Sequence, residues 1–406
     1  MSYLRHPRFA CKRPSCASVL GRTNGIVWRR ALTLKESRGA EQMKGAIMTV
    51  PGEPLELLDI ELGTVEPHEV QVRVERASVC HTDLTIAQGN FPMPVPAVIG
   101  HEAAGVVEAV GDRVTRLKPG DRVIAFANPF CGHCGYCHRG DTFLCTGEAT
   151  FRAPEGGQRV TINGDGAFAM AGVGAFSETM LTHENSLAPV PGELPFTEAT
   201  LLGCGVSTGL GAAMNTAGVA DGDTVAVLGC GTVGLSAIQG ARVAGASRVF
   251  AMDILPSKLQ IALSVGATDL IDARDPDAVN EIMESTSGGV DSAIECIGKP
   301  ETTAMAVQVV GRGGTAVLVG FMPLGTNIEL PGTEFLYMGK RLVASVLGST
   351  NFLRDLPKYG ALIESGEVNL EALTTNHFSF NDINLAMSKL HNGEVLKPII
   401  DIGEAA

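Results

Sequence analysis

Four thiols fall within one short stretch, Cys131, Cys134, Cys137 and Cys145, spaced Cys-x2-Cys-x2-Cys-x7-Cys. Thiolates at that spacing can close as a tetrahedron around zinc, and four sulfurs leave no position for a substrate, so the loop reads as a structural zinc site. An iron–sulfur cluster is the competing use of closely spaced cysteines. Binding energy at a structural metal is folding energy, so losing this zinc should unravel the loop rather than alter chemistry directly. His133 and His138 lie inside the loop and read as exposed neighbours, not ligands. A second set stands apart: Cys80 in Val-Cys-His-Thr-Asp, His101 in Gly-His-Glu and Cys204 in Gly-Cys-Gly. Two thiolates and one imidazole would leave a fourth zinc position open to water or an alcohol, which is the arrangement of a catalytic metal. Spacing alone does not bring the three together. Taken singly, Cys204 at a small-residue helix start reads equally as a buried structural cysteine, and His101 as a hydrogen-bonded polar residue.

A third constellation concerns phosphate. The apolar run Thr224 to Leu228 leads into Gly229-Cys230-Gly231-Thr232-Val233-Gly234, a helical pattern follows, and Asp253 closes the next strand. Strand, glycine loop, helix and a later acid together make a dinucleotide site, where the glycines alone would be weak. Gly229 permits the tight turn, Gly231 lets a pyrophosphate approach the backbone, and Gly234 allows close helix–strand packing at a helix N-terminus that favours anions. Asp253 can accept from ribose hydroxyls and would repel a 2′-phosphate, which favours NAD over NADP.

The run Gly100-His101-Glu102-Ala103-Ala104-Gly105, the four-cysteine loop and Gly203-Cys204-Gly205-Val206-Ser207-Thr208-Gly209 resemble the zinc-containing medium-chain alcohol dehydrogenase family, in order from about residue 44 to the C-terminus. The resemblance implies an α/β chain: a GroES-like β-rich catalytic domain plus a Rossmann doubly wound parallel sheet, with two zinc ions per subunit and NAD. It implies catalytic zinc on Cys80, His101 and Cys204, with Glu102 beside the metal and Asp83 orienting His101. Without it, both carboxylates read as solvated charges or helix caps. The zinc would acidify the alcohol oxygen while hydride passes to the nicotinamide, giving aldehyde or ketone. Thr82 matches a hydroxyl that starts a proton relay; where some members finish that relay with histidine, this chain has Thr85. Thr208, Thr232 and Val233 fall at cofactor positions, Val319 at one that bonds the carboxamide, and Lys258 at one that reaches the ribose, though Lys258 also reads as an exposed helix charge. His81 and Lys397 stand where other members carry pyrophosphate-binding cations, often arginine, so NAD should be held less tightly. Ala127, four residues before Cys131, stands where several ethanol-oxidising members carry an aromatic ring, which implies room for bulky or aromatic alcohols. A thiol-dependent formaldehyde dehydrogenase is the alternative within the family. A non-catalytic NAD-binding scaffold is the alternative outside it, disfavoured because every candidate ligand is intact.

These residues need two different frameworks to hold them. Short alternating runs from Glu56 to Glu75, with strand-like pieces at Ala104 to Val110 and Arg122 to Ala125, predict a β-rich part broken by Gly and Pro. From Thr224 onward strands and helices alternate, which means βαβ units on a parallel sheet. An apolar strand, Pro398 to Ile402, follows a helical stretch at Asn381 to Leu390 and should rejoin the first part. The expected division is 1–42 arm, 43–206 catalytic domain, 207–345 Rossmann domain and 346–406 return. The arm carries nine Lys and Arg against Glu36 and Glu41. It reads either as a transit peptide or as sequence preceding a true start at Met43, and as disordered in both cases. The Gly-rich stretch 151–174 lacks a charged cluster that would seize a thiol adduct.

A formal charge of −13 argues against nucleic acid as a partner, and no run of 18 apolar residues suggests a membrane span. The ten cysteines follow no secretory signal, which suggests a reducing, cytoplasmic setting, or an organelle if the arm directs import. The partner expected is a small alcohol or aldehyde. The resemblance further implies a homodimer or homotetramer, with contact around residues 340–347.

Overall fold

The computed structural model describes residues 43–147 and 159–403. The readings made for the 1–42 arm, and for the part of the Gly-rich stretch at 151–158, lie outside these residues.

Thr224–Leu228 is the centre of a six-stranded sheet in which all neighbours run parallel. Arg248–Asp253 and then Asp269–Asp272 lie on one side of it, and Val290–Glu295, Val310–Leu318 and Arg341–Ala344 on the other. Alternation along a strand sends successive side chains to opposite faces. Val225 and Val227 accordingly enter one core with Val249 and Ala251, while Ala226 and Leu228 enter a second with Phe250 and Met252. Both faces are covered, so these strands read as continuous apolar runs rather than alternating ones. The order reverses at Thr224–Leu228, and a crevice for ligands opens at the carboxyl ends of the strands there.

The remaining strands form a closed five-stranded barrel and a seven-stranded sheet. In the latter, Glu69–Ser78 pairs antiparallel with Ala103–Val110, and Pro398–Asp401 returns from the C-terminus to pair with its end, Ile399 opposite Ser78. Lys397, immediately before that strand, is thereby carried back to the neighbourhood of residues 78–83.

The two frameworks meet at the helix Gly205–Gly211, which packs against Thr232–Val243, the helix following the glycine loop. Small residues permit this approach. A Cβ on Gly209 would lie 2.2 Å from the Val233 carbonyl oxygen, and one on Gly205 would meet the Thr232 side chain at 2.8 Å.

Several elements were not anticipated. Part of the Gly-rich stretch forms the hairpin Val160–Ile162 and Asp165–Ala169. Phe352–Glu364 is a helix despite Pro357 inside it. Lys340, expected near a subunit contact, is buried and donates to the carbonyls of Val307 and Gln308, so the accessible part of that stretch begins at Arg341. No helix among the described residues is long and apolar enough to cross a membrane.

Candidate active site

Cys80, His101 and Cys204 come from three distant segments, and each is set by a backbone device. Cys80 caps the helix His81–Ala87, where the Asp83 carboxylate accepts from the Cys80 amide at 2.8 Å. His101 follows Gly100, whose φ of +91° is left-handed and whose absent Cβ leaves space for Phe176. Cys204 caps Gly205–Gly211, and Gly203 before it lies so close to the Ala125 carbonyl that a Cβ would fall 2.5 Å from its oxygen. One ligand atom each from Cys80, His101, Glu102 and Cys204 lies within 4.8 Å of the other three.

The surroundings are almost dry. His101 and Asp83 are buried, and the imidazole Nδ1 meets the other Asp83 oxygen at 2.9 Å, which turns Nε2 toward the thiols. Burial disfavours the charged imidazole, but the charge and hydrogen bond of Asp83, aided by Cys80, outweigh it and raise the His101 pKa well above the ordinary range. A hydrogen bond from Cys204 holds the Cys80 thiol well below its ordinary value, and the same bond together with burial raises Cys204. Such a set binds a dication by releasing its protons.

Glu102 supplies a further test of fit. One of its oxygens accepts from Ser78 Oγ at 2.5 Å and pairs with Lys397 Nζ at 2.6 Å, while the other, Oε1, is buried without a hydrogen-bond partner, 3.8 Å from His101 Nε2. A buried carboxylate oxygen without a donor is costly unless a cation faces it. The chemistry of the donors therefore fits zinc, with Cys80, His101 and Cys204 as the natural ligands and Glu102 next to them.

The four-cysteine loop fits a metal by its dimensions. A tetrahedron of sulfurs with metal–sulfur bonds of about 2.3 Å has edges of roughly 3.8 Å. Cys134 lies 3.6 Å from Cys137 and 4.0 Å from Cys145, sulfur to sulfur, and Cys131 lies 3.9 Å from Cys137. Backbone amides of Cys131, Cys134 and Gly147 donate to these sulfurs. Backbone hydrogen bonding lowers Cys134 to about 5, while burial and the neighbouring thiols raise Cys137 to about 12, as crowded sulfurs sharing protons must behave. His133 and His138 are exposed and outside the cluster.

Next to Cys204 lies the glycine loop. Gly229 has a left-handed φ of +93°, a Cβ on Gly234 would strike the Gly229 carbonyl, and Gly231 faces open space. Gly231 thus offers a cradle of the kind a pyrophosphate needs, which is the fit expected for a dinucleotide. Asp253 ends the second strand, its oxygens accepting from the amides of Cys230 and Leu255. Thr232 Oγ1 reaches the Leu396 carbonyl, and Val233 opens the helix beyond it. Burial lowers the pKa of His81, Cys80 opposes that, and the charges of Lys258, Lys397 and His391 lower it further, which favours the neutral ring.

Other residues are placed less simply. Thr208, one turn beyond Cys204, is buried with its hydroxyl unpartnered. The Val319 amide already donates to the Glu295 carbonyl, which leaves only its own carbonyl for a ligand. Thr82 Oγ1 lies 3.8 Å from Cys80 Sγ, whereas Thr85 donates its hydroxyl to the His81 carbonyl. Lys397 is not spread over the crevice as a surface cation would be: it is buried against Glu102, which with Cys80 keeps it charged against the opposing effect of burial. That pairing, and the role of Ser78, carried no signal in the sequence, because the first depends on the C-terminal strand returning to Glu69–Ser78 and the second on the pairing of Glu69–Ser78 with Ala103–Val110. Ala127 is half-buried between Phe126 and the loop.

Two family models match the chain, the alcohol dehydrogenase GroES-like domain over residues 66–192 and the zinc-binding dehydrogenase over residues 232–365. An S-(hydroxymethyl)glutathione dehydrogenase of Saccharomyces cerevisiae is 36% identical over 366 residues, covering 86% of this chain and 94% of that protein. Among solved structures, an alcohol dehydrogenase zinc-binding domain protein from Burkholderia ambifaria superposes with a TM-score of 0.86 at 34% identity, covering 90% of this chain and 100% of that one. Benzyl alcohol dehydrogenase from Acinetobacter calcoaceticus gives 0.85 at 32% identity with the same coverage. The chain belongs to the zinc-type alcohol dehydrogenase family of medium-chain oxidoreductases.

Asp83 holds both Cys80 and His101, so its replacement should be felt at the metal before the fold. Asp83→Asn is expected to weaken zinc binding at this cluster by roughly 10–100-fold while the four-cysteine loop keeps its ion. Metal analysis after dialysis against graded chelator checks this, and equal retention by both proteins would remove the orienting role.

Proposed function

We propose that this chain is an NAD-linked dehydrogenase acting on primary or secondary alcohols with bulky or aromatic substituents. The observation that carries the reading is the convergence of Cys80, His101 and Cys204, with an unpartnered Glu102 oxygen beside them, next to the glycine loop whose Gly231 faces open space.

Bound between these ligands, zinc supplies Lewis acidity to an alcohol or carbonyl oxygen, and NAD bound on the loop supplies the hydride acceptor. The chain's own residues do the rest. Asp83 fixes the imidazole so that Nε2 faces the reacting position. Lys397 and Ser78 hold Glu102 in place, and the Lys397 charge offsets part of the upward pull of burial on its carboxyl. Thr82 is the hydroxyl nearest the thiols and is suited to taking the substrate proton onward. Thr85 is engaged with a backbone carbonyl, so solvent completes the transfer. Gly229, Gly231, Thr232, Val233 and Gly234 receive the pyrophosphate with His81 near it, Asp253 and Lys258 the ribose, and Thr208 and the Val319 carbonyl the nicotinamide end.

Bulk tolerance is supported by Ala127 and by an aromatic contact. Phe91, just beyond the helix that Cys80 opens, meets Phe321, beyond the strand Val310–Leu318, edge-to-face at 5.6 Å. Phe321 is 54% exposed, so its ring is accessible from solvent. A second reading, oxidation of the hydroxymethyl adduct of a thiol, is favoured by the relative from S. cerevisiae.

Initial rates of NAD reduction separate the two. Benzyl alcohol is expected to give a kcat/KM about ten-fold or more above ethanol, equivalent to about 1.4 kcal/mol, with no thiol present. Turnover of formaldehyde only when glutathione is added would select the second reading, and a zinc-replete protein inert to both would overturn the proposal. For the cofactor, Asp253→Ala should reduce the preference for NAD over NADP by roughly ten-fold or more, since a repelling charge is removed. An unchanged ratio of kcat/KM values would reject Asp253 as selector.

We also propose a homodimer through the free edge of Arg341–Ala344, because an open strand edge invites pairing and Leu336 and Tyr337 beside it are 77% and 76% exposed. Light scattering should return twice the chain mass of 42.4 kDa, and a monomer at micromolar concentration would exclude it.

A further inference from the structure

The four-cysteine loop stands apart from the reacting cluster in sequence, and its spacing implies no part in chemistry. The structure ties it to the helix of Cys204. Asn351 Nδ2 donates to the carbonyl of Gly140, the residue that ends the short helix Gly135–Arg139 inside the loop. The same asparagine caps the helix Phe352–Glu364 by accepting from the Arg354 amide, and its own amide donates to Asp355 at 2.9 Å. Phe352 stacks on Phe126 with ring centroids 4.2 Å apart, which fixes the start of this helix against the segment entering the loop.

From there the contacts run to Cys204. Thr350, fully buried, donates its hydroxyl to the Ser207 carbonyl, three residues from Cys204 on the same helix. Leu347, Gly348 and Ser349 before it hold φ of 48°, 70° and 48°, three successive left-handed residues of which two are not glycine. Such a conformation persists only where its surroundings over-determine it. Here they do: a Cβ on Gly348 would lie 2.6 Å from the Thr208 carbonyl oxygen, and one on Gly211 would lie 2.2 Å from that of Gly348. Thr216 shares hydrogen bonds with Ser345 and Ser349, and Asn215 reaches Tyr359, buried in the helix Asn351 caps. The strap 345–351 therefore lies on the Cys204 helix by backbone contact and ends on the loop.

We propose that this strap makes the four-cysteine loop a positioning element of the Cys204 site, with Asn351 and Thr350 as the positioning residues. The inference rests on Cys204 being a metal ligand. A loop held closed by its own metal presents the Gly140 carbonyl at a fixed place; Asn351 takes its position from that carbonyl, and Thr350 from Asn351 sets the first turn of Gly205–Gly211, whose cap carries the sulfur.

The test uses full-length protein with zinc kept in the loop and cobalt(II) exchanged into the second site, whose visible absorption reports ligand geometry. Asn351→Ser preserves the helix cap and is too short to reach Gly140; Thr350→Val keeps the shape and removes the hydroxyl; Thr350→Ser keeps the hydroxyl. We expect the first two to retain both metals and the wild-type melting temperature within a few degrees. Their cobalt bands should shift and kcat should fall roughly ten-fold with KM for NAD unchanged, and Thr350→Ser should restore both. Amide exchange should accelerate in residues 205–211 and not across the parallel sheet, unlike a general loss of stability. Wild-type cobalt bands and kcat in both Asn351→Ser and Thr350→Val would overturn the inference alone. A wild-type chain that takes up no cobalt outside the loop would overturn the metal reading itself, and this inference with it.

Discussion

A buried charge survives only when another charge or a full set of hydrogen bonds answers it, and this constraint organises the molecule. Asp83, His101, Glu102 and Lys397 are all withdrawn from water. Moving one ion into such surroundings costs about several kcal/mol even after relaxation. Each group here is answered by a partner from a different stretch of chain: Asp83 by His101 and the Cys80 amide, Glu102 by Lys397 and Ser78. The Lys397–Glu102 pair can exist only if the C-terminal strand returns beside Glu69–Ser78, so the topology and the electrostatics support one another. What the protein leaves unanswered, one oxygen of Glu102 and two thiols competing for a proton, is what a dication would satisfy.

Close approach of backbone to backbone is the second requirement. Gly203 against Ala125, Gly205 against Thr232, Gly209 against Val233 and Gly211 against Gly348 each stand where a Cβ would collide. In sequence these residues look like a flexible, glycine-rich turn. In the fold they are the reverse, the places where three segments, at Ala125, at Thr232 and Val233, and at Gly348, are pressed onto one helix and the residues leading into it. That helix links the candidate ligand Cys204 to the glycine loop on one side and to the strap from the four-cysteine loop on the other. Its position, more than any one side chain, sets the distance between the Cys80, His101 and Cys204 cluster and the glycine loop.

How much of this was legible depends on whether the signal was local. The four-cysteine loop was, since its ligands share one turn of chain, and so were Thr224–Leu228, Arg122–Ala125 and the glycine loop, whose periodicity and punctuation need no distant partner. The helix Phe352–Glu364 was not, because Pro357 reads as a breaker while the Asn351 cap and the stacking of Phe352 on Phe126 are what carry the helix through it. The edge strand Arg341–Ala344 is short and half-exposed, so it lacks the apolar run that marks its neighbours. The grouping of Cys80, His101 and Cys204 could be named only through the family, for nothing in residues 80, 101 and 204 taken singly demands a common place. Lys397 marks the boundary of that method: the position was found by resemblance to a cofactor-binding cation, but its engagement with Glu102 depends on three-dimensional pairing.

Lysine rather than arginine at that position has a physical consequence for the site. A guanidinium presents a planar fork that can hold a carboxylate on one edge and still offer donors on another, whereas an ammonium is a compact point charge. Buried 2.6 Å from Glu102, Lys397 gives its charge to the carboxylate beside the metal ligands. On the proposed function, the anionic end of a cofactor is then met by the helix N-terminus at Gly231 and by His81, whose ring burial favours as the neutral donor. Backbone amides and a neutral imidazole bind phosphate without the geometric lock of a second fork. On the proposed function, the strongest buried pairing serves the metal site and the dinucleotide is left a looser grip, a division that favours rapid exchange of cofactor over its retention.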